Sequence, residues 1–334
     1  MIKKINLKSE FLKYVIVLMS GTLIAQIINL ALSIPLLKYF YSPEEMGELG
    51  LYLRIVGVGG ALATARYDFA IPITKANVHG FRLYHIALRT AIMVVLFTSL
   101  GLTIPILLSD KVDDQIFYLL IPIGLFLTAF YSIGTNWAIR TKKYKSISIS
   151  KVTNTSIGGS LKLLFGYLGL SYIGLLIATV IGLFMSNIWF IRDYFTSKQA
   201  YDVRFKSPRT YLLAKQYDEF PKVNLPHTLM DLGRDLLLAV LIIEFFSMDD
   251  FGLFDQSYRV LKLPLTLAGL AISQVFFQRC SDMYNRGEDI TPLVVKSVKI
   301  LALISIVPFT LIFLFGGDIF AYVFSEKWRE AGEF

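Results

Sequence analysis

The sequence contains a single cysteine, Cys280, and only three histidines in 334 residues. A lone cysteine cannot form an intrachain disulfide, and it cannot supply the set of thiolates that a structural zinc site needs. The histidines are scattered without the spacing of metal ligands. We therefore predict that the protein has no metal site and no cofactor.

Sequence motifs of common enzyme classes are missing as well. The chain has no GxGxxG or Walker sequence, no DxD run and no nucleophile elbow. The segments between its apolar stretches are too short to form a catalytic domain. We therefore predict that the protein catalyses no covalent reaction.

Charged residues are scarce, at 17% of the chain, whereas 55% of the residues are hydrophobic and the mean hydropathy is +0.59. Soluble globular domains are less apolar. A helix needs about 20 apolar residues to cross the hydrocarbon core of a bilayer. Nine stretches meet this requirement, near residues 14–37, 47–73, 86–108, 116–139, 147–170, 171–191, 224–246, 251–277 and 293–315. The sequence thus predicts an all-α polytopic membrane protein.

The basic residues are distributed unevenly among the connecting segments. If the N-terminus is cytoplasmic, 23 of the 33 lysines and arginines lie in cytoplasmic segments and four lie on the opposite side. Short loops rich in Lys and Arg remain in the cytoplasm. We therefore predict a multi-pass inner-membrane protein with a cytoplasmic N-terminus. The net charge of +8 follows from this topology, so nucleic acid is not a predicted partner.

The chain matches itself at an offset of 205 residues. Residues 40–47 (FYSPEEMG) align with residues 245–252 (FFSMDDFG), and the same register places Arg54 on Arg259. Six spans precede a basic connector at residues 193–221, so the second series of spans starts in the same orientation as the first. We predict two parallel-repeat helical bundles: a six-helix bundle at residues 1–205 and an incomplete bundle at residues 206–334. In membrane proteins built from two parallel repeats, substrate sites lie between the two halves.

Nine charged residues fall within the apolar stretches. On the lipid-facing surface they would together cost on the order of 25 kcal/mol, so we expect them to face a wet or protein-lined interior. Six are cations and three are anions, which leaves an excess of positive charge. They are Arg54, Arg66 and Asp68 on the second stretch, Lys162 on the fifth, Asp231, Arg234 and Asp235 on the seventh, and Arg259 and Lys262 on the eighth.

Helical spacing groups these charges on common faces. Residues three, four or seven apart share a face, as do Asp231, Arg234 and Asp235, and as do Asp255, Arg259 and Lys262. The surplus cations suit a pyrophosphate, because Arg offers paired donors to phosphate oxygens and Lys a point charge. We predict a cationic cavity lined by Arg54, Arg234, Arg259, Lys262 and Lys162, and gating or charge pairs formed by Arg66, Asp68, Asp231, Asp235 and Asp255. Two alternatives stay open: the charge pairs could serve only helix packing, and Lys162 could extend outward to the membrane surface.

Four segments carry a family resemblance: residues 65–71 (ARYDFAI), 229–235 (LMDLGRD), 258–264 (YRVLKLP) and 272–277 (ISQVFF). The chain resembles bacterial polysaccharide biosynthesis proteins that act as O-antigen or capsule flippases, within the multidrug, oligosaccharidyl-lipid and polysaccharide exporter superfamily. The resemblance implies a MATE-like fold of two six-helix bundles around a central cavity. It also implies alternating access that moves undecaprenyl-pyrophosphate-linked oligosaccharide from the cytoplasmic to the periplasmic leaflet of the inner membrane. Coupling to protons or sodium stays open.

Three other functions remain alternatives to the flippase. A drug or organic-cation antiporter of the same fold should have an acidic or aromatic cavity, which the excess of Arg and Lys disfavours. A polymerase or glycosyltransferase needs catalytic groups on a large loop outside the membrane, and the longest connector, residues 193–221, is basic and predicted to be cytoplasmic. A scaffold without transport activity would leave the excess of charge within the spans unexplained.

Overall fold

The computed structural model describes residues 7–201, 208–262, 280, 283 and 289–334, and these residues contain helices and no strand. The helices are α1 (Leu7–Pro35), α2 (Pro43–Thr64), α3 (Tyr67–Ala70), α4 (Asn77–Leu108), α5 (Val112–Arg140), α6 (Tyr144–Tyr167), α7 (Tyr172–Ala200), α8 (Pro208–Gln216), α9 (Leu225–Phe245), the described part of α10 (residues 248–262) and α11 (Thr291–Val323). The predicted all-α polytopic architecture is confirmed.

Six helices of the described part are long and apolar enough to cross a membrane: Val17–Phe40, Pro43–Thr64, Asn77–Leu108, Val112–Arg140, Tyr172–Ala200 and Ser305–Val323. Each overlaps one of the nine predicted spans. Helices α6 and α9 form at two further predicted positions, with 24 and 21 residues. Both carry more charge: α6 contains Lys145, Lys151 and Lys162, and α9 contains Asp231, Arg234, Asp235 and Glu244. The rest of the eighth predicted span lies outside the described residues.

The second predicted span is interrupted near its end. Helix α2 stops at Thr64, and Ala65 and Arg66 follow with positive φ angles of 46° and 58°. Two consecutive non-glycine residues in the left-handed region cannot continue a right-handed helix. Arg66 therefore lies in the break and Asp68 on the short helix α3, whereas the sequence had predicted both within one continuous span.

Two segments in the described part of the chain are π-helical, Leu36–Phe40 and Phe220–Asn224. The first directly follows Pro35 and the second contains Pro221. Proline removes a backbone donor and disfavours the regular i to i−4 ladder, so a wider turn at these places is expected locally. Much of the connector is helical, because α7 continues to Ala200 and α8 follows from Pro208 to Gln216.

The chain divides into two compact units: Met1–Tyr41 with Glu48–Phe245, and Ser42–Gly47 with Phe246–Phe334. The predicted bundle boundary after residue 205 stays a prediction.

The first unit is held together by an aromatic core between α4, α5 and α7. Phe81, Tyr84, Trp137 and Phe190 are all at most 1% exposed. The Trp137 indole N–H donates to Ser197 Oγ over 2.9 Å, which satisfies the polar edge of the largest buried ring. These contacts tie the end of α5 to the end of α7, next to the connector.

Helices α6 and α7 approach closely at two glycines. A Cβ built on Gly158 would lie 3.7 Å from the Cα of Gly182, and a Cβ built on Gly182 would lie 2.8 Å from the Cα of Gly158. Small residues at a crossing let two membrane helices bring their backbones together. Gly158 and Gly182 thus allow the close approach of α6 and α7.

The second unit contains residues 42–47 and 246–252 of the two aligned copies, and in each copy a serine caps the first turn of a helix. The Ser42 N–H donates to Glu45 Oε2 at 2.8 Å, and the Glu45 N–H donates to Ser42 Oγ at 3.3 Å. In the other copy the Asp250 N–H donates to Ser247 Oγ at 3.0 Å, and the Ser247 hydroxyl donates to Asp250 Oδ2 at 2.5 Å. A side chain thus caps the first turn of both helices, at positions related by the predicted offset of 205.

Candidate functional site

Helix α10 carries an ion pair and a cation above an aromatic ring. Arg259 Nη2 lies 2.6 Å from Asp255 Oδ2, with the Asp255 side chain 6% exposed and that of Arg259 36% exposed. Lys262 Nζ lies 4.1 Å from the centre of the Tyr258 ring. As the spacing predicts, Asp255 and Arg259 share one helix face. The carboxylate orients the guanidinium and leaves part of it accessible.

Arg54 occupies the corresponding position on α2. Its Nη1 donates to the Gly50 carbonyl at 3.2 Å, so the partner again lies four residues earlier in the chain. By the offset of 205, Gly50 corresponds to Asp255. In both repeats the arginine thus contacts a group four residues earlier in the chain. This group is a backbone carbonyl for Arg54 and a carboxylate for Arg259.

The charges of α9 form local contacts along the helix. The Arg234 guanidinium donates to Asp235 Oδ1 from Nε at 3.2 Å and from Nη2 at 3.0 Å. Asp231 Oδ2 lies 3.6 Å from Nδ1 of His227, one turn earlier on the helix. The Asp231 and Arg234 side chains are largely exposed. Neighbouring side chains can pair here because Arg234 is long enough to fold back along its own helix.

The predicted direct pair between Arg66 and Asp68 is not formed. The Nε of Arg66 donates to Asn224 Oδ1 at 3.1 Å, and its guanidinium carbon lies 3.7 Å from the centre of the Phe69 ring. The break in the chain explains the difference, because the left-handed Arg66 is no longer on a common helix with Asp68.

Asp68 instead belongs to a buried polar cluster that the sequence did not reveal. Its side chain is 0% exposed. Its Oδ2 accepts hydrogen bonds from the Ser132 hydroxyl at 2.5 Å and from the Asn136 side-chain N–H at 3.5 Å. Ser132 and Asn136 lie four residues apart on α5, which is the one available signal, since this spacing places two polar groups on one face of an apolar helix.

Helix α6 carries one cation that was predicted and one that was missed. Lys162 is half-buried, and its backbone carbonyl accepts a hydrogen bond from the Tyr41 hydroxyl at 2.9 Å. Lys151, which was not among the predicted site residues, also lies on α6. Its Nζ donates to Thr22 Oγ1 at 3.1 Å.

The predicted site residues thus divide between the two units. Asp255, Arg259 and Lys262 belong to the second unit, and the remaining seven belong to the first. A single cavity lined by all the predicted cations stays a prediction. No group of three or more His, Cys, Asp or Glu side chains that could hold a metal ion occurs within the described part of the chain.

Comparison with known proteins gives a family and a fold. A family model described as "Polysaccharide biosynthesis protein" matches residues 73–333. A solved structure of a multidrug resistance MATE family transporter of the MOP superfamily, in an inward-facing conformation, is 16% identical, with a TM-score of 0.65 over 95% of this chain and 78% of that one. A crystal structure of a MATE mutant is also 16% identical, with a TM-score of 0.54 over 96% of this chain and 77% of that one. No curated protein matches. The predicted MATE-like fold is confirmed.

Proposed function

Because this chain belongs to the polysaccharide biosynthesis protein family, we propose that it is a flippase for a lipid-linked oligosaccharide. Its substrate would be an O-antigen or capsule repeat unit joined to undecaprenyl pyrophosphate. The protein would carry this unit from the cytoplasmic to the periplasmic leaflet of the bacterial inner membrane. The observation that carries the proposal is the family match over residues 73–333, on a chain whose fold is that of MATE transporters.

The chemistry of the cations supports an anionic substrate. Arg259 is oriented by Asp255 at 2.6 Å and keeps about a third of its side chain accessible. A guanidinium held in this way has donors left for phosphate oxygens, and its planar fork suits them better than an ammonium does. Arg54, its counterpart in the first repeat, would contribute in the same manner. Lys262, Arg234 and Lys162 would add positive charge for the pyrophosphate.

Alternating access is the transport mechanism that we propose, in line with a MATE-like fold. The polyprenyl tail would stay in lipid, where its burial costs nothing, while the pyrophosphate and sugars pass through the polar interior. The 23-to-4 distribution of basic residues supports an orientation with the N-terminus and the connector in the cytoplasm.

Reconstitution provides the direct test. The purified protein would be placed in vesicles with a fluorescent oligosaccharide on undecaprenyl pyrophosphate, and transfer between leaflets would be measured by access of a sugar-modifying enzyme. We expect transfer that is faster than in empty vesicles and slower with the Arg54→Ala, Arg259→Ala double variant.

Two outcomes would contradict the proposal. Equal rates of glycolipid transfer in vesicles with the wild-type protein and in empty vesicles would show that the protein is not a flippase for this lipid. Export of a fluorescent organic cation, with no movement of the glycolipid, would assign the chain to drug antiport instead.

A further inference from the structure

Helix α6 carries a cation without a negative partner at Lys151. The residue is half-buried, and its Nζ donates to Thr22 Oγ1 on α1 at 3.1 Å. Among the described residues no carboxylate pairs with this ammonium group, which has lost part of its hydration by burial. Such a group is costly unless an anion accompanies it. We propose that Lys151, with Thr22 and Gln26 on α1, binds the phosphate-bearing end of the lipid-linked oligosaccharide, an assignment that rests on the proposed flippase function.

The helices around Lys151 offer it no carboxylate. Helix α6 packs against α1, α5 and α7 and contains no Asp or Glu itself. The acidic residues of the three neighbouring helices are Glu10 on α1, Asp113 and Asp114 on α5, and Asp193 on α7. Glu10 lies about three turns before Thr22, and Asp193 pairs with Lys143 at 2.6 Å. The two acids of α5 lie in its first turn, whereas α6 begins soon after the last turn of α5, so they are at the opposite end from Lys151.

Gln26 adds a second unsatisfied group to the same side of α1. It lies four residues after Thr22, and this spacing places the two side chains on one helix face. The side-chain oxygen of Gln26 is buried and has no hydrogen-bond partner in the part of the chain that the structure describes. A buried acceptor that lacks a donor costs free energy. A sugar hydroxyl of the substrate would supply this donor, while the phosphate contacts the ammonium group of Lys151.

The chemistry of Lys151 favours a phosphate over an organic cation. Its positive charge attracts an anion and repels a cationic drug. An ammonium group has three N–H donors, and in the described structure only one of them is used, on Thr22. Two donors are therefore left for phosphate oxygens. Because lysine acts as a point charge on a flexible stem, it can follow a phosphate group that enters and leaves.

Lys162 lies on the same face of α6 as Lys151. The two lysines are 11 residues apart, which is close to three full turns and about 16 Å along the helix axis. Lys151 belongs to the first half of α6 and Lys162 to the second half. The basic connecting segments predict that α6 starts on the cytoplasmic side. Lys151 would therefore contact the phosphate of a substrate that arrives from the cytoplasmic leaflet before Lys162 does.

Binding of farnesyl pyrophosphate to the purified full-length protein in phosphatidylcholine nanodiscs would test the site. Lys151→Gln removes the charge but keeps a donor for Thr22, so the variant should fold, and its Kd should rise about tenfold. Thr22→Val removes the hydrogen bond but keeps the charge, so it should retain the affinity. Lys145→Gln, at an exposed position on the same helix, is the control and should bind as the wild type does.

Glycan export in cells would test the sugar contact. Gln26→Leu should reduce export at matched protein levels, because the sugar loses its acceptor. The same variant should leave the Kd for farnesyl pyrophosphate unchanged, since this probe carries no sugar. Normal export from Gln26→Leu would remove Gln26 from the site.

Several results would overturn the site. No binding of the probe by the wild type, an unchanged Kd in Lys151→Gln, or an equal loss in Thr22→Val would mean that Lys151 serves only the packing of α1 on α6. Complete displacement of the probe by phosphatidylglycerol in the nanodisc would assign the site to a membrane phospholipid. Binding that depends on Lys151, in a protein that exports no glycan, would contradict the flippase function alone. Normal glycan export by Lys151→Gln would contradict the site alone.

Discussion

Gly47 and Gly252 lie at equivalent positions of the repeat and face each other. A Cβ built on Gly47 would lie 3.2 Å from the backbone nitrogen of Gly252, and a Cβ built on Gly252 would lie 3.1 Å from the backbone nitrogen of Gly47. A second pair of contacts is also reciprocal. A Cβ built on Gly47 would lie against the Met248 carbonyl oxygen, and a Cβ built on Gly252 would lie against the Pro43 carbonyl oxygen. Two copies of one segment related by a local two-fold axis make contacts of this kind.

Alanine at either glycine should therefore destabilise the protein. The neighbouring atoms belong to backbone and cannot move aside, so we expect Gly47→Ala and Gly252→Ala each to cost about 1 to 3 kcal/mol. Gly57→Ala on the same helix α2 is the matched control, because no atom lies within 4 Å of its added Cβ, and it should be neutral or stabilising. Thermal unfolding in detergent would measure the three variants. Equal melting temperatures for all of them would contradict the close contact.

The orientation in the membrane can be checked with single cysteines in a Cys280→Ser background. Asp249→Cys, in the acidic segment before α10, should react with a membrane-impermeant maleimide in cells whose outer membrane has been opened. Gln199→Cys, at the end of α7, should react only after the inner membrane has been opened. The opposite pattern would reverse the topology that the basic residues predict.

Replacing Arg259 should separate binding from folding. Arg259→Ala removes the ion pair with the buried Asp255 and should cost about 1 to 3 kcal/mol, less than for a fully buried pair because Arg259 is partly exposed. Adding Asp255→Asn should restore stability but not glycan export, whereas Arg259→Lys should retain part of the export.

Export would be measured in cells at matched protein levels, with Lys38→Ala as a control for an exposed cation. Normal glycan export from the Arg259→Ala, Asp255→Asn double variant would mean that the Asp255–Arg259 pair serves only the stability of the fold.

The structure changes what should be expected of Arg66. Because its Nε donates to Asn224 Oδ1 at 3.1 Å, a double-mutant cycle between Arg66→Ala and Asn224→Ala should give a coupling free energy of about 0.5 to 1 kcal/mol in unfolding. The cycle between Arg66→Ala and Asp68→Asn should give a smaller one, since the two side chains share no direct bond. A larger coupling with Asp68 would restore the charge pair predicted from the sequence.

Acid should weaken the segment after α11. Arg329 hydrogen-bonds to Glu326 and to Asp318 at 2.5 and 2.6 Å, and the hydrogen bond from Arg329 is the main cause that lowers the pKa of Glu326 below its ordinary value of 4.5. A lowered pKa stabilises the folded state above that ordinary value, and the contribution is lost as the pH falls through the lowered one. The protection factors of residues 326–333, which are the intrinsic exchange rates at each pH divided by the observed rates, should therefore fall on acidification. In Arg329→Gln the protection factors should depend less on pH, and an unchanged dependence would contradict this role.

The sequence predicts helices and the repeat well because both depend on composition and short-range spacing. The register that joins Ser42 to Ser247 and Gly47 to Gly252 is visible in the residues themselves, and so is the i, i+4 pair of Asp255 and Arg259. The partners of Asp68 were not predictable, because Ser132 and Asn136 are 64 and 68 residues away along the chain. The left-handed conformation of Ala65 and Arg66 also has no local signal, since neither residue favours it.

The two serine caps have a consequence for biogenesis. A helix that enters a bilayer must first satisfy the amide groups of its opening turn, which otherwise require water or a neighbouring helix. The N–H of Glu45 and the N–H of Asp250 are each satisfied by a serine of the same segment. Each of these helices therefore enters the bilayer with one fewer open amide group at its leading end, whether or not its partner helices have been synthesised.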